Sequence, residues 1–380
     1  MRSTFAFLVG TITLLLPCMA WADANTSQQP EATNLTSPSR VVLEGVPKIG
    51  YGVHLCPFPG SLYALLQYLK DPCDYDYIMG VTGAAFRRTW NRDDGGNVDL
   101  SYFGDEPVDA IFTALGYDYQ IIPPINRDAL MQAMKASISR QKPVLAFGII
   151  GPPECGLVTG YDKDGDVLYG YSYFQDGKLP GYYEQADWFA QANWPKNSTH
   201  GFITLGEKKP KPADRAILLA ALARAIRFEK MTKLGPDHSA GLTAYDDWAK
   251  GLEIDADYPQ ENAEILATRV MIHGDQCVML EERRDAAKFL RRMAKVAPEA
   301  AKELEAAAAL YDAAADQGSV LWPWSMDLGM QVGDKLADPE TRHAMAKAVR
   351  LAQQKEAGAV LHLEAAYKLL QATPADKTPE

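Results

Sequence analysis

The sequence predicts an α+β domain over residues 41–207 followed by an all-α helical bundle over residues 208–372. Three observations predict it. Residues 41–207 alternate short apolar runs with turns rich in Gly, Pro and Tyr. Glu207-Lys208-Lys209-Pro210-Lys211-Pro212 then forms a charged, proline-broken linker. Beyond it Ala, Leu, Glu, Lys and Arg dominate and glycine is scarce, the composition of packed helices. A chain of 380 residues has room for two such domains.

Taken in order, the elements begin with a leader. Arg2 precedes an apolar run from Phe5 to Leu16, and Ala20-Trp21-Ala22 follows. This is the layout of a secretory signal peptide, residues 1–22, cleaved after Ala22. The expected destination is the periplasm or the cell exterior. Residues 23–40 carry Ser, Thr, Asn, Gln and Pro with little to bury, and read as a flexible tether. Asn25, Asn34 and Asn197 each open an Asn-x-Ser/Thr triplet, which has meaning only in a eukaryotic secretory pathway.

Leu62, Leu65, Leu66 and Leu69 follow the i, i+3, i+4, i+7 spacing of a core-facing helix, with Pro57 and Pro59 just ahead of it. A second helix covers 127–140, with Leu130, Met131, Met134 and Ile138 on its apolar face. Strands are expected at Val144-Leu145-Ala146-Phe147, Leu157-Val158-Thr159, Val167-Leu168-Tyr169 and 201–205. Asp162-Lys163-Asp164-Gly165 joins the second and third as a hairpin turn. In the bundle, helical segments are expected at 213–233, 239–253, 259–296, 298–316 and 338–371. Asp338-Pro339-Glu340 supplies an N-cap followed by Pro at the first helical position. Residues 373–380 read as a disordered tail.

Charge narrows the partners. Lys plus Arg is 38 against Asp plus Glu at 49, a net charge of −11. Such a chain offers no basic field to a phosphate backbone or an anionic membrane, so no nucleic acid partner is expected. After the leader no stretch reaches the roughly 18 apolar residues of a membrane span, so no stable membrane anchor is expected either. A small molecule or a peptide is the expected substrate, and no cofactor is implied. Four cysteines remain after the leader: Cys56, Cys73, Cys155 and Cys277. In an oxidising compartment they allow three full disulfide pairings, among which the sequence does not choose.

Cys56 is the candidate nucleophile. It lies within a turn of a helix N-terminus, where the dipole and open N–H groups favour a thiolate, the reactive form in acyl chemistry. Trp90, Asn91 and Asp94 begin a polar loop, and Tyr171 and Tyr173 head an aromatic cluster continued by Tyr182-Tyr183. An aromatic wall beside a polar loop is a way to build a substrate cleft. His273, Cys277 and Glu281, spaced i, i+4, i+8, share a helix face that suits metal ligands, although the apolar residues around them favour a buried structural role. Trp322-Pro323-Trp324 reads as filling for a domain interface.

The order of these pieces resembles a known family. His54-Leu55-Cys56 leading into Leu62-Tyr63-Ala64-Leu65-Leu66-Gln67-Tyr68-Leu69 is similar to the start of the butirosin-biosynthesis acyltransferase type N-terminal domain, a relative of the bacteriocin-processing cysteine peptidases. Met79-Gly80-Val81-Thr82-Gly83-Ala84-Ala85-Phe86 resembles its Gly-rich segment. Lys142-Pro143-Val144-Leu145 and Leu157-Val158-Thr159-Gly160-Tyr161-Asp162 resemble its central strands. Ser239-Ala240-Gly241-Leu242 through Trp248-Ala249-Lys250-Gly251-Leu252 resembles the helical domain often attached behind it. The likeness is collinear over about residues 46–300.

The resemblance implies a papain-like (cysteine peptidase-like) fold with acyl chemistry at Cys56. It also exposes a departure: the family's general-base His falls on Glu154 here, and no His lies between His54 and His200. Glu154, His54 and His273 are the substitutes for that base. The same placement brings Cys155 close to Cys56, implying either a disulfide or a metal site joined by His54 and Glu154. Two functions are therefore expected in turn: an exported cysteine-dependent hydrolase or acyltransferase acting on an amide or thioester, or a non-catalytic binding protein of the same fold. Hydrolysis fits export better than transfer from an acyl carrier protein, which works in the cytoplasm.

Overall fold

Proline at the first helical position, left-handed glycines at helix ends and unbroken apolar strands set the frame. A computed structural model describes residues 39–95, 100–175, 188–196, 198–322 and 333–373, with the backbone alone at 101, 102, 333 and 334. The expected signal peptide, nearly all of the expected tether, the three Asn-x-Ser/Thr sites, Tyr182-Tyr183, Pro323-Trp324 and the tail beyond Thr373 lie outside the described residues.

In chain order the first part contains β1 (Val41–Val42), α1 (Pro57–Tyr68), α2 (Tyr75–Thr82), β2 (Thr89–Trp90), α3 (Glu106–Leu115), β3 (Tyr117–Ile122), α4 (Arg127–Ser139), β4 (Val144–Phe147), β5 (Cys155–Asp162), β6 (Val167–Tyr171), β7 (Phe189–Ala192) and β8 (Gly201–Lys208). The second contains α5 (Asp214–Lys230), β9 (Lys233–Leu234), β10 (His238–Ala240), α6 (Gly241–Leu252), α7 (Ala263–Glu281), α8 (Arg283–Ala294), α9 (Ala301–Ala315), α10 (Gly318–Leu321), α11 (Gly333–Ala337) and α12 (Pro339–Ala372). The protein is thus a mixed α/β molecule with an antiparallel sheet and many helices. Among the described residues no helix is long and apolar enough to cross a membrane.

The sheet runs β3-β8-β4-β5-β6-β7, every pair antiparallel, with β1 added to β5 at Val41↔Tyr161. β4 is buried along its whole length and β5 for all but its last residue, as strands covered on both faces must be. The expected hairpin between β5 and β6 is present. Lys163 and Asp164 both take positive φ (48° and 57°), the twist a tight antiparallel turn needs, and the Asp162 side chain accepts from Lys163 N. Pro57 and Pro59, expected ahead of the first helix, stand inside its first turn.

The expected helix over 259–296 is two helices, α7 and α8, meeting at Glu282. The helices do not pack apart from the sheet. One apolar core runs from Leu43 and α1 through Phe289 and Leu304 to Leu363 and Leu370. Gly80 on α2 makes this possible, since a Cβ there would fall inside the Phe289 ring of α8. A smaller core around Trp248, Leu266, Met345 and Val349 joins α6, α7 and α12. A second sheet, β2-β10-β9, ties the two parts together by pairing Trp90 with Ser239.

Charges are buried at the same joint. Arg283 makes a two-point pair with Glu356 (2.7 and 3.1 Å), both fully buried, and donates to the carbonyls of Ala85, Arg87 and Met279. Arg87 pairs with Glu282 at 2.7 Å, again out of water. Arg88 lies 3.9 Å over the Tyr245 ring, and the Tyr245 hydroxyl donates to Glu356. Glu229, also fully buried, accepts only from the Tyr311 hydroxyl, at 2.9 Å, among the described residues.

Candidate active site

Cys56 is the N-cap of α1 and is 2% exposed. Its carbonyl accepts from Gly60 N (2.9 Å), closing the first helical turn, and its own N–H donates to the Tyr75 hydroxyl at 3.1 Å. Pro57 and Pro59 occupy the first and third helical positions and carry no N–H. The first turn therefore offers a thiolate the Phe58 N–H, fewer donors than a helix usually presents there. Leu62, Leu65 and Leu66 are fully buried and fix α1 against the sheet.

The start of β5 lies against the same helix. Ser61 Oγ donates to the Cys155 carbonyl at 3.3 Å, locking the first turns of α1 to the residue that opens β5. Cys155 is 1% exposed. The Tyr173 hydroxyl presses on Gly60, where an added Cβ would overlap it. Burial raises the Tyr173 hydroxyl well above its ordinary pKa, with Cys56, Cys155 and Glu154 adding to the shift. Burial likewise raises Tyr75 well above its usual value, followed by Cys56 and Glu282. Cys56, Glu154, Cys155, Tyr75 and Tyr173 are thereby electrostatic neighbours around one helix end.

His54 joins them from the preceding loop. Its ring stacks on Tyr75 (centroids 3.9 Å apart, 13° between planes) and meets the edge of Tyr63 at 4.6 Å. Its Nε2 is buried with no hydrogen-bond partner. Desolvation first, then Lys288, lowers its pKa to about 4, so the ring is neutral at ordinary pH.

The other sequence candidates fall into separate surroundings. Tyr171 ends β6 opposite Leu157, one residue before the turn that carries Tyr173. Trp90 pairs with Ser239 and fits over Gly251. Asn91 donates to the Asp237 carbonyl at 2.9 Å and accepts from Asp93 N, and Asp94 pairs with His238 at 3.3 Å. These three build the joint between β2 and β10, whereas Tyr173 belongs to the Cys56 cluster.

His273 accepts from Trp248 Nε1 (3.1 Å) and reaches the Leu321 carbonyl with Nε2 (2.7 Å), a carbonyl that Cys277 Sγ also approaches. Burial lowers His273 to about 4 and pushes the Cys277 thiol up. The pair secures the end of α10 and does not face Cys56. The four described cysteines are thiols, and among the described residues no three His, Cys, Asp or Glu side chains converge as metal ligands. His200 immediately precedes β8, which β4 separates from β5, and its Nδ1 lies on the Ser198 carbonyl.

Tyr51, Tyr63 and Tyr75 were not singled out as candidates by the sequence. Tyr75 follows Cys56 by 19 positions in a short helix, and its spacing gives no sign of contact. Fold and site define an α+β protein with a cysteine at a buried helix N-terminus, ringed by tyrosines and one neutral histidine. No protein-family model matches the chain, and no curated protein matches it in sequence.

Proposed function

We propose that this chain is an exported cysteine-dependent hydrolase or acyltransferase of papain-like architecture, with Cys56 as its nucleophile. One observation supports the reading above the rest: Cys56 caps α1 while the Ser61–Cys155 bond holds the start of β5 against the same turn. A thiol at a helix end beside a strand start is the arrangement that the resemblance implies, and a thiolate is the nucleophile of cysteine acyl chemistry. The Cys56 thiolate attacks the carbonyl of an amide or thioester, forms a thioester to the protein and expels an amine or thiol. Water, or an acceptor, then takes the acyl group and returns the thiol. His54 is the base in this reading, and Glu154, next to Cys155 ahead of β5, is the alternative.

The test is intact-mass detection of an acyl adduct after incubation with simple thioesters such as acyl-N-acetylcysteamines. An adduct on the wild type that is absent from Cys56→Ser supports the proposal. A second reading, a non-catalytic binding protein, is favoured by one observation: the one histidine packed near Cys56 is held far below ordinary basicity. Absence of any adduct, with ligand binding retained in Cys56→Ser, would establish that reading instead.

A further inference from the structure

We propose that the 50–55 loop is a proton-operated cover over Cys56, with the His54 ring as its latch. The inference deepens the proposed function, on which its biological use rests, by assigning a regulation to the same site.

Cys56 is almost fully out of water, yet two residues before His54 the chain is at the surface: Gly52 has open space around it and Val53 is 63% exposed. The loop's own backbone bonds are internal, Val53 N and His54 N both donating to the Gly50 carbonyl. Tyr51 meets the edge of Tyr173 (centroids 4.9 Å apart), and the inner end is fastened by the His54 ring, slotted against Tyr75 and Tyr63 with its Cβ by Gly60 in the first turn of α1. Tyr75 is the residue whose hydroxyl receives the Cys56 N–H, so the latch rests on the wall of the cysteine site.

The slot has no place for a proton. Buried Nε2 has no acceptor. The ring packs on Tyr63 from α1 and Tyr75 from α2, and Lys288 on α8 adds positive charge. Of the carboxylates at α2 and α8, Asp285 is engaged by Lys288, Asp74 and Asp76 by Arg292, and Glu282 by Arg87, while Glu154, ahead of β5, is not among the charges that shift the ring. An imidazolium in this slot would bury Nε2 without an acceptor, within reach of the Lys288 charge.

The sign follows. The closed loop depresses the ring from an ordinary 6.5 to about 4, so protonation favours the open loop. The closed state is undiminished above pH 6.5 and loses ground as pH falls through that value towards 4. The opening equilibrium should rise on the order of a hundredfold between pH 7 and pH 4, set by the gap between those two pKa values.

The experiment measures the rate at which 4,4′-dithiodipyridine modifies Cys56 from pH 7 to pH 4, relative to glutathione, with the modified cysteine identified by peptide mass spectrometry. This reagent exchanges with thiols in acid. Cys56 forms the mixed disulfide and thiopyridone leaves. The expected result is a relative rate that climbs by on the order of a hundredfold for Cys56 alone, and a flat profile for His54→Phe, which keeps the stacking but cannot be protonated. A flat wild-type profile overturns the proposal, as does a climb that survives in His54→Phe. Modification of Cys277 in step with Cys56 overturns it too, because the acid transition is then global unfolding.

If His54→Phe does not fold, hydrogen exchange of the wild type decides. Acid-induced loss of protection confined to Val53 and His54, with β5 unchanged, supports the cover; unchanged protection there overturns it. The readout is thiol exposure rather than turnover. An opening loop without any acyl adduct defeats the proposed function and leaves the cover standing, whereas an adduct with a flat profile does the reverse.

Discussion

Glu356→Gln and Glu229→Gln should behave oppositely, although both carboxyl groups are fully buried in one cluster. Glu356 receives two bonds from Arg283 and one from Tyr245, and chiefly the Arg283 charge, acting against burial, holds its pKa below the ordinary carboxyl value. Glu229 receives one tyrosine hydroxyl, and burial, with Glu356 next, raises it well above that value. Glu356 is the charged carboxylate and Glu229 the protonated acid.

Replacing Glu356 by Gln leaves the Arg283 guanidinium buried without its counter-charge, which costs about 3–5 kcal/mol. Replacing Glu229 removes no charge and leaves Tyr311 an acceptor, so the cost at pH 5.5 is below about 1 kcal/mol. The pH dependence supplies the second half. A raised folded pKa gives stability that is complete below the unfolded pKa and drains as pH rises towards the folded value. The slope is about 1.36 kcal/mol per pH unit, or at most about 2.7 kcal/mol from pH 5.5 to 7.5.

Glu229→Gln lacks that drain, so relative to wild type it should gain stability over this interval. Urea unfolding followed by tryptophan fluorescence at the two pH values measures both variants. If Glu229→Gln costs as much as Glu356→Gln, or gains nothing relative to wild type by pH 7.5, the charge assignment is wrong.

Three further outcomes are expected. Gly80→Ala drives a methyl into the Phe289 ring and should cost about 1–3 kcal/mol in the same urea assay, with the α2–α8 contact as the first casualty. Gly60→Ala crowds the Tyr173 hydroxyl and the His54 Cβ, so it should speed modification of Cys56 at pH 7 while leaving the circular dichroism of the helices unchanged. Cys277, buried and with its thiol pushed up by that burial, should stay unmodified by iodoacetamide at pH 8 until urea unfolds the chain, as peptide mapping will show.

Where local chemistry fixes an element, the sequence was enough. The Asp338 side chain accepts from Thr341 N at 2.8 Å and starts α12 where the Asp-Pro-Glu triplet placed it. β4 spans the four residues read from its apolar run, and α4 ends one residue from its expected limit. Where tertiary packing decides, the reading failed. α2 is eight residues with a glycine inside, poor on propensity, and is held by Phe289 fitting over that glycine. β9 and β10 are two and three residues long and exist by pairing with each other and with β2. The apolar period runs through Glu282 without a break, yet α7 and α8 part there, where that side chain turns to Arg87. At the site, Cys56 was legible because a helix start is a local feature. The tyrosines around it were not, since Tyr75 and Tyr173 arrive from elements that no spacing rule connects to residue 56.

These features bear on how a cysteine enclosed this way does chemistry. Helix ends favour a thiolate through several N–H groups, and two of the first three here are prolines. Around the sulfur stand tyrosine hydroxyls whose pKa values are raised and a ring that is neutral. In the closed arrangement the histidine packed at the site carries no charge at ordinary pH. Opening the loop changes that in one step. On the proposed function it admits a substrate to Cys56 and returns His54 to water, where its ordinary pKa lets it accept a proton from the thiol or stand beside a thiolate as imidazolium. On this argument access and activation are one movement, and a variant that holds the loop shut should lose both together.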